Sequence, residues 1–406
     1  MKFNVLIVGA GHYVTGARQI DNDSATDKDL GILLPGLAYY QSIGRVGKIT
    51  VVGRNGNKIK SVYESWLKRY AKHGNLEKPR VDLKPNPGVI NENEYIKVMK
   101  KASKSNTIVF AAVPDSLHEA VVSESCANAM HIFIVKPIVS AWDSFQRLKT
   151  LYEYKKNLVC YIDYHKLFDP QNILLNSKVK NNDFGNIQYI SSIQTQKKLM
   201  RDVYENELSQ NINFNVNHYI GCHYIHQAAY ITQATPISVR ATGQSFNGKK
   251  SNKLSDLGLI QVNVQWQSQE GYTFNSMHVS GWCDPNSQPT MTRQKFYLYG
   301  SKGAAELNQD DRGLSFTTDS EGYSLPNPHY FQLPTSSSDS LFDPIAVYGL
   351  RSVDYFISLA EKTHLNENAI YQKATEPNSL EGSETVTKIL DCADKSLLNN
   401  SSIIEC

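Results

Sequence analysis

The sequence has no C-x-x-C pair. Its six cysteines (Cys126, Cys160, Cys222, Cys283, Cys392 and Cys406) are scattered along the chain. That spacing argues against a disulfide frame and suits reduced thiols, most of them packed as small hydrophobes with Cys406 exposed. Neither sign of charge is in excess: 42 basic and 39 acidic residues leave a formal net charge of +3. A nucleic-acid binder would need a basic stripe, and none is present. No apolar run approaches the ~18 residues of a membrane-spanning helix. The opening stretch MKFNVLIVGAGHY breaks into Gly-Ala-Gly after a few apolar residues and lacks a small-residue cleavage pattern, so it is not read as a secretory signal. No internal repeat is visible. A cytoplasmic protein that binds neither nucleic acid nor membrane is expected. What is present is 406 residues, 41% hydrophobic and 20% charged, a soluble globular composition with length enough for two domains.

The first third alternates apolar strands with helical segments. FNVLIVGAG, GKITVVGRNGNK, NTIVFAAVPDS and HIFIVKP read as strands. SVYESWLKRYAKHG, stopped at Gly74, EYIKVMKKA and LHEAVVSESCANAM read as helices. Continuous apolar strands separated by helices indicate a parallel sheet covered on both faces, a doubly wound α/β domain assigned here to residues 1–138. A further helix, WDSFQRLKTLYEYKKN, and one more apolar strand, LVCYIDYH, follow. From Gly185 onward the pattern becomes period-two: NIQYISSIQTQKK, ISVRATGQSF, LIQVNVQWQS, YTFNSMHVSG and QKFYLYGS. These predict a large, mostly antiparallel open sheet in a second α/β domain, residues 139–406. YGLRSVDYFISLAEK and SETVTKILDCADKSLL read as late helices. The polar stretches Arg18–Gly31 and PTSSSDS near residue 335 read as surface loops.

Gly9-x-Gly11 at the end of the first strand lets a backbone approach a pyrophosphate, and a following helix N-terminus would favour the negative charge. The third glycine of the usual fingerprint falls on Val14, with Gly16 two residues late, so an ordinary tight βα turn is an equal reading of this motif alone. After the second strand come Gly53, Arg54 and Asn55, with no acid beside them. A carboxylate there would hold ribose hydroxyls, whereas Arg54 can cradle a 2′-phosphate, so the pattern leans to NADP with NAD as the alternative. The Arg18–Gly31 run lengthens the interval between the two motifs and is a candidate loop over the cofactor.

Lys136 and Pro137 end the strand Ile132–Val135. Ligands of doubly wound sheets bind beyond the carboxyl ends of strands, and Pro137 fixes the chain behind the lysine. An ammonium aimed into that cleft can bond a substrate hydroxyl and assist its proton transfer; a solvated strand-end lysine is the alternative. In NVNHYIGCHYIHQAAY, Tyr219 and His223 lie one helical turn apart, and His226 is three residues further on. His223 is a candidate acid/base. His223 and His226 have spacing that reaches one ion, but no third ligand is evident, and no metal site is assigned. His218 reads as a packing or capping residue.

These pieces in this order resemble the Gfo/Idh/MocA family of sugar and inositol oxidoreductases over nearly the whole chain. AAVPDSLHEAVV is similar to the family's fourth-strand segment, IFIVKPIVS to its E-K-P signature, YIDYHKLFDP to the start of its second domain, and YIGCHYIH to its D-x-x-x-H helix. YLYGSKGAAEL and PNSLEGSETVTKILDCADKS are similar to its late hairpin and closing helix. The resemblance implies a Rossmann domain, a nicotinamide cofactor, and hydride transfer at a carbon bearing oxygen in a sugar, sugar derivative, nucleotide sugar or cyclitol. It also implies a homodimer or homotetramer joined through the C-terminal sheet. Implied catalytic residues are Lys136 and His223, supported by Tyr219. Implied cofactor contacts are Gly9, Gly11, His12, Tyr13, Arg54, Asn55, Val113, Pro114, His118, Lys136 and Pro137. Tyr164, His165, Asn217 and His226 are expected at the substrate. Two positions depart from the family pattern: the glutamate before Lys-Pro is Val135, and the aspartate one turn before the histidine is Tyr219. They keep open the alternative of a dinucleotide-binding regulator or scaffold without turnover.

Overall fold

β1 (Asn4–Val8), β2 (Ile49–Val52), β4 (Thr107–Ala111), β5 (Ile132–Val135) and β6 (Cys160–Asp163) are short and nearly continuously apolar. Strands of this kind can be buried on both faces, which suits a parallel sheet between helical layers. In the computed structural model they form, with β3 (Val81–Lys84), a parallel sheet in the order β3-β2-β1-β4-β5-β6. The model describes residues 2–16, 30–72, 76–155, 157–211, 213–248, 253–319, 322–334, 343, 346–365 and 376–406. Of the polar run Arg18–Gly31, residues 18–29 lie outside the described residues, as do the stop at Gly74 and residues 335–342; Leu30 and Gly31, read as part of a surface loop, are buried.

The first helix after the glycine turn is short. α1 (His12–Thr15) closes on Gly16 in the left-handed region, and α2 (Leu33–Ser42) resumes after residues 17–29. Gly16 is therefore a helix stop rather than a displaced third fingerprint glycine. Close approach occurs instead at Gly31, with φ +76°, where an added Cβ would lie 2.6 Å from the Val14 carbonyl. Val14 itself is fully buried beneath the turn.

The parallel sheet runs past residue 138, where the sequence places the divide between domains. β6 pairs in register with β5 from Ile132–Cys160 to Val135–Asp163. A chain-distant helix, α11 (Tyr348–Leu365), also belongs to this core. Its Phe356 ring lies 5.2 Å from Phe110 and 5.7 Å from both Phe133 and Tyr161.

The second sheet follows the period-two pattern. β7 (Ile187–Lys197), β8 (Thr235–Ser245), β9 (Leu257–Gln267), β10 (Thr273–Asp284), β11 (Thr292–Gly300), β12 (Gly303–Asn308) and β15 (Ile404–Glu405) pair in the order β12-β11-β7-β10-β9-β8-β15. All neighbours are antiparallel except β7 and β10. A separate pair, β13 (Phe316–Thr318) and β14 (Gly322–Ser324), hangs beside it. One sheet face is covered by α10 (Cys222–Thr232) and α12 (Glu384–Leu398), whose buried residues join Val239, Val262, Val264 and Trp266 in one core. Cys406 is half-buried rather than exposed, with its Sγ 2.6 Å from that of Cys392, and all six cysteines are free. No helix among the described residues is long and apolar enough to cross a membrane.

Candidate active site

The carboxyl ends of β1, β2, β4, β5 and β6 open onto one cleft of about 2280 Å³, whose other wall comes from β7, β11 and α10. Ordinary small-ligand pockets are about 300–1,000 Å³, so this cleft has room for a dinucleotide and a substrate together.

Its floor is the glycine turn. Gly9 has φ +103°, and a Cβ there would meet the Ala112 carbonyl oxygen at 2.2 Å, so only glycine lets β1 and the β4 end approach. A Cβ on Gly11 would meet nothing within 4 Å. The backbone at Gly11 is thus open to a bulky anion, and the residues present fit a dinucleotide pyrophosphate. His12, Tyr13, Val113, Pro114 and Pro137 line the same stretch. At the outer end, Arg54 reaches Glu92 at 3.8 Å, with both side chains largely exposed. An acid therefore does come near Arg54, from a segment 38 residues on, which inspection of the β2 tip alone misses. Lys58, Arg69 and Lys72 lie along the same rim. Asn55 caps α3 (Gly56–Tyr70), accepting from the Lys58 amide at 3.0 Å. His118 is buried, with Nε2 at 2.9 Å from the Val113 carbonyl and Nδ1 at 2.8 Å from that of Pro137. It ties together the loops after β4 and β5. Burial lowers its pKa against the nearby Asp115 and those carbonyls.

Lys136 leaves β5 and crosses to α10. Its Nζ donates to the backbone carbonyl of Tyr219 and stands 4.8 Å from the centre of the Tyr219 ring. Tyr219 sits on a π-helical turn, Asn217–Gly221, that leads directly into α10. Such turns recur at functional sites because they re-aim side chains within a helix. Lys136, Tyr219 and His223 all line the cleft, so the structure brings the three residues named as catalytic from the sequence to one cavity, with Lys136 reaching across it to Tyr219. His165 joins them, with its ring 4.9 Å from that of His223.

The other substrate candidates sit elsewhere. Tyr164 is buried and stacks on His226 at 3.7 Å with the planes 3° apart. His226 Nε2 donates to the Pro377 carbonyl at 2.9 Å, and burial takes its pKa down to about 4. Asn217 is buried under the π turn. None of the three lines the cleft; each braces α10 from behind. Tyr164 lies just past the end of β6 at Asp163, where the chain turns into a short 3-10 helix at His165; the Tyr164 ring turns back onto His226 while His165 faces the cleft. His218 is also behind, in a buried pair with Asp394 at 3.0 Å.

Sequence reading missed Asp163, the last residue of β6. It is buried, yet its pKa is lowered: desolvation raises it, and His165, Ser352 and Tyr13 together outweigh that. Its carboxylate accepts from Tyr13 Oη at 2.5 Å, from Ser352 Oγ at 2.6 Å and from His165 Nδ1 at 3.3 Å. An acid at the carboxyl end of a parallel strand was the available signal. Tyr330 and Tyr348, which flank His165 at 5.3 and 5.8 Å, had none, because they arrive from a distant loop and from α11.

No family model matches the sequence, and no curated protein does. Solved structures do match, from end to end. The myo-inositol 2-dehydrogenase from Lactobacillus plantarum superposes with a TM-score of 0.67 at 11% identity, covering 100% of this chain and 99% of that one. The scyllo-inositol dehydrogenase from Lactobacillus casei, solved with NAD(H) and scyllo-inositol, gives 0.65 at 13% identity over 100% and 99%. GenD2 from gentamicin A biosynthesis, solved with NAD, gives 0.64 at 12% over 100% and 96%. The chain has the Gfo/Idh/MocA fold. At such identities the likeness is one of fold. Within the Gfo/Idh/MocA fold, this chain carries Lys136, His165 and His223 on its cleft walls without a glutamate at 135 or an aspartate at 219.

Proposed function

We propose that the protein is an NADP(H)-dependent oxidoreductase that interconverts a carbinol and a carbonyl in a sugar, sugar derivative or cyclitol. The observation that carries this reading is the convergence of Lys136 and His223 on one cleft that also contains the open Gly9–Gly11 turn. A bound nicotinamide supplies a carbon that gives or takes hydride. Lys136 orients the substrate oxygen, His223 exchanges its proton, and Tyr219 positions the lysine through its carbonyl. Tyr330, Tyr348 and His165 shield the reacting end from water.

Four cations on the outer rim, Arg54, Lys58, Arg69 and Lys72, against the single carboxylate of Glu92, support NADP over NAD. The amides of Gln194, Gln196 and Gln294 along the cleft wall suit a neutral polyhydroxylated substrate. Exposed Tyr299, beside Tyr189 at 6.4 Å on the second sheet, supports assembly of a homo-oligomer through that sheet. A second reading, cofactor binding without turnover, is favoured by one observation: the Lys136 amine is engaged on a backbone carbonyl.

The test is a panel of inositols, sugars and nucleotide sugars, and their keto forms, incubated with NADP(H) or NAD(H) while nicotinamide absorbance is followed. Turnover of at least one polyol is expected. Tight dinucleotide binding with no turnover of any compound would favour the regulator.

A further inference from the structure

Neither carboxylate of the family pattern accompanies Lys136 or His223, yet an ionised carboxylate stands in the cleft. Asp163 occupies the carboxyl end of β6 and accepts three hydrogen bonds, from Tyr13, Ser352 and His165. A second layer fixes it: Tyr161 Oη and Ser352 Oγ are 2.9 Å apart, and Asn378 Nδ2 donates to Tyr161 at 2.6 Å. An acid given this many donors remains charged when buried. Its partner His165 is fixed at Nδ1, which leaves proton exchange to Nε2. The 3.3 Å length of that contact is ordinary for a catalytic hydrogen bond before ligand tightens it. His165 stands between His223 of α10, Tyr13 of α1, Tyr330 of the preceding loop and Tyr348 of α11. Lys136 and Lys166 line the same cleft.

We infer that His165 is the second acid/base of the site and that Asp163 is its positioning residue, replacing from the Rossmann sheet the carboxylate that α10 lacks. The inference rests on the oxidoreductase reading. In the oxidative direction a nicotinamide dinucleotide held at the Gly9–Gly11 turn would serve as the two-electron acceptor for the hydride released when the carbinol C–H bond breaks. The O–H proton taken up by His223 is passed on to His165 Nε2, whose ring lies 4.9 Å from that of His223, and the C=O bond forms. Reduction reverses each transfer. Tyr13 belongs to the glycine turn and shares the Asp163 oxygen that holds His165, so the pair is physically joined to the cofactor floor.

The experiment measures kcat, KM and NADP(H) affinity, with the best polyol of the panel, for wild type, His165→Asn, Asp163→Asn and Asp163→Glu. His165→Asn is expected to lower kcat by about 10²-fold, with NADP(H) affinity unchanged as the sign of a folded site. Asp163→Asn is expected to lower kcat less and to move the acid limb of kcat/KM to lower pH, because an imidazole without its carboxylate binds protons less tightly. Asp163→Glu restores part of the rate. Wild-type turnover together with an unchanged kcat in His165→Asn, or an unmoved pH profile in Asp163→Asn, overturns the assignment of the pair while leaving the oxidoreductase reading intact. Absence of turnover in wild type removes that reading, and this inference with it.

Discussion

Arg54 and Glu92 face each other across the outer rim of the cleft with little burial. Exposed pairs of this sort contribute little by themselves, so Arg54 is available to a phosphate. Arg54→Ala should weaken NADPH binding by roughly tenfold, about 1.4 kcal/mol, and leave NADH nearly unchanged; titrating both cofactors by fluorescence checks it, and equal losses would remove the argument for NADP. At the same scale His218 makes a second prediction. Burial works against its charge, but Asp394 outweighs burial and raises its pKa above 6.5. A raised imidazole stabilises the fold fully below its unfolded value of 6.5 and loses that contribution as pH rises through the folded value. Buried His118, His131, His226 and His278, all lowered, act in the opposite sense. The stability gap between wild type and Asp394→Asn, from thermal unfolding, should therefore shrink as pH rises. Lys136, His223 and the glycine turn, all named from the sequence, line the cleft; Lys136 and the glycines could be placed there because they follow strand ends. Asn217, Tyr164 and His226 lie outside that lining, since spacing along a chain does not say which face of an element meets a cleft.

Elements were legible where they were apolar. β1, β2, β4, β5 and β6 are hydrophobic runs, and all five were visible; β3, with sequence Val-Asp-Leu-Lys and half exposed at the sheet edge, was not. The π turn over Asn217–Gly221 was read as plain helix, since one extra residue per turn leaves no trace in periodicity. α11 was visible as a helix, but its docking on the parallel sheet was not, because those contacts link residues far apart in the chain, such as Phe356 and Phe110. Phe356 is its anchor, fully buried among Phe110, Phe133 and Tyr161. Phe356→Ala should cost about 3–5 kcal/mol by denaturant unfolding, whereas a loss under about 1 kcal/mol would mean that α11 is not part of that core. The same helix carries Ser352 to Asp163, so its loss would also loosen the site.

At the scale of the whole molecule, two sheets of different character meet at one cleft. The parallel sheet presents strand ends, a glycine turn and Lys136; the mixed sheet presents amides and carries α10 with His223. Neither half forms the cleft alone, and at 11–14% identity the chain keeps the fold of the solved neighbours from end to end. The central claim is that Lys136 and His223 act on one substrate beside one dinucleotide. The direct measurement is kcat, with NADP(H) affinity recorded in parallel, for Lys136→Ala and His223→Ala on the polyol that the wild type turns over. Each variant is expected to lose about 10²–10⁴-fold in kcat, with His223→Ala binding NADP(H) as the wild type does. Either variant turning over at the wild-type rate would contradict it.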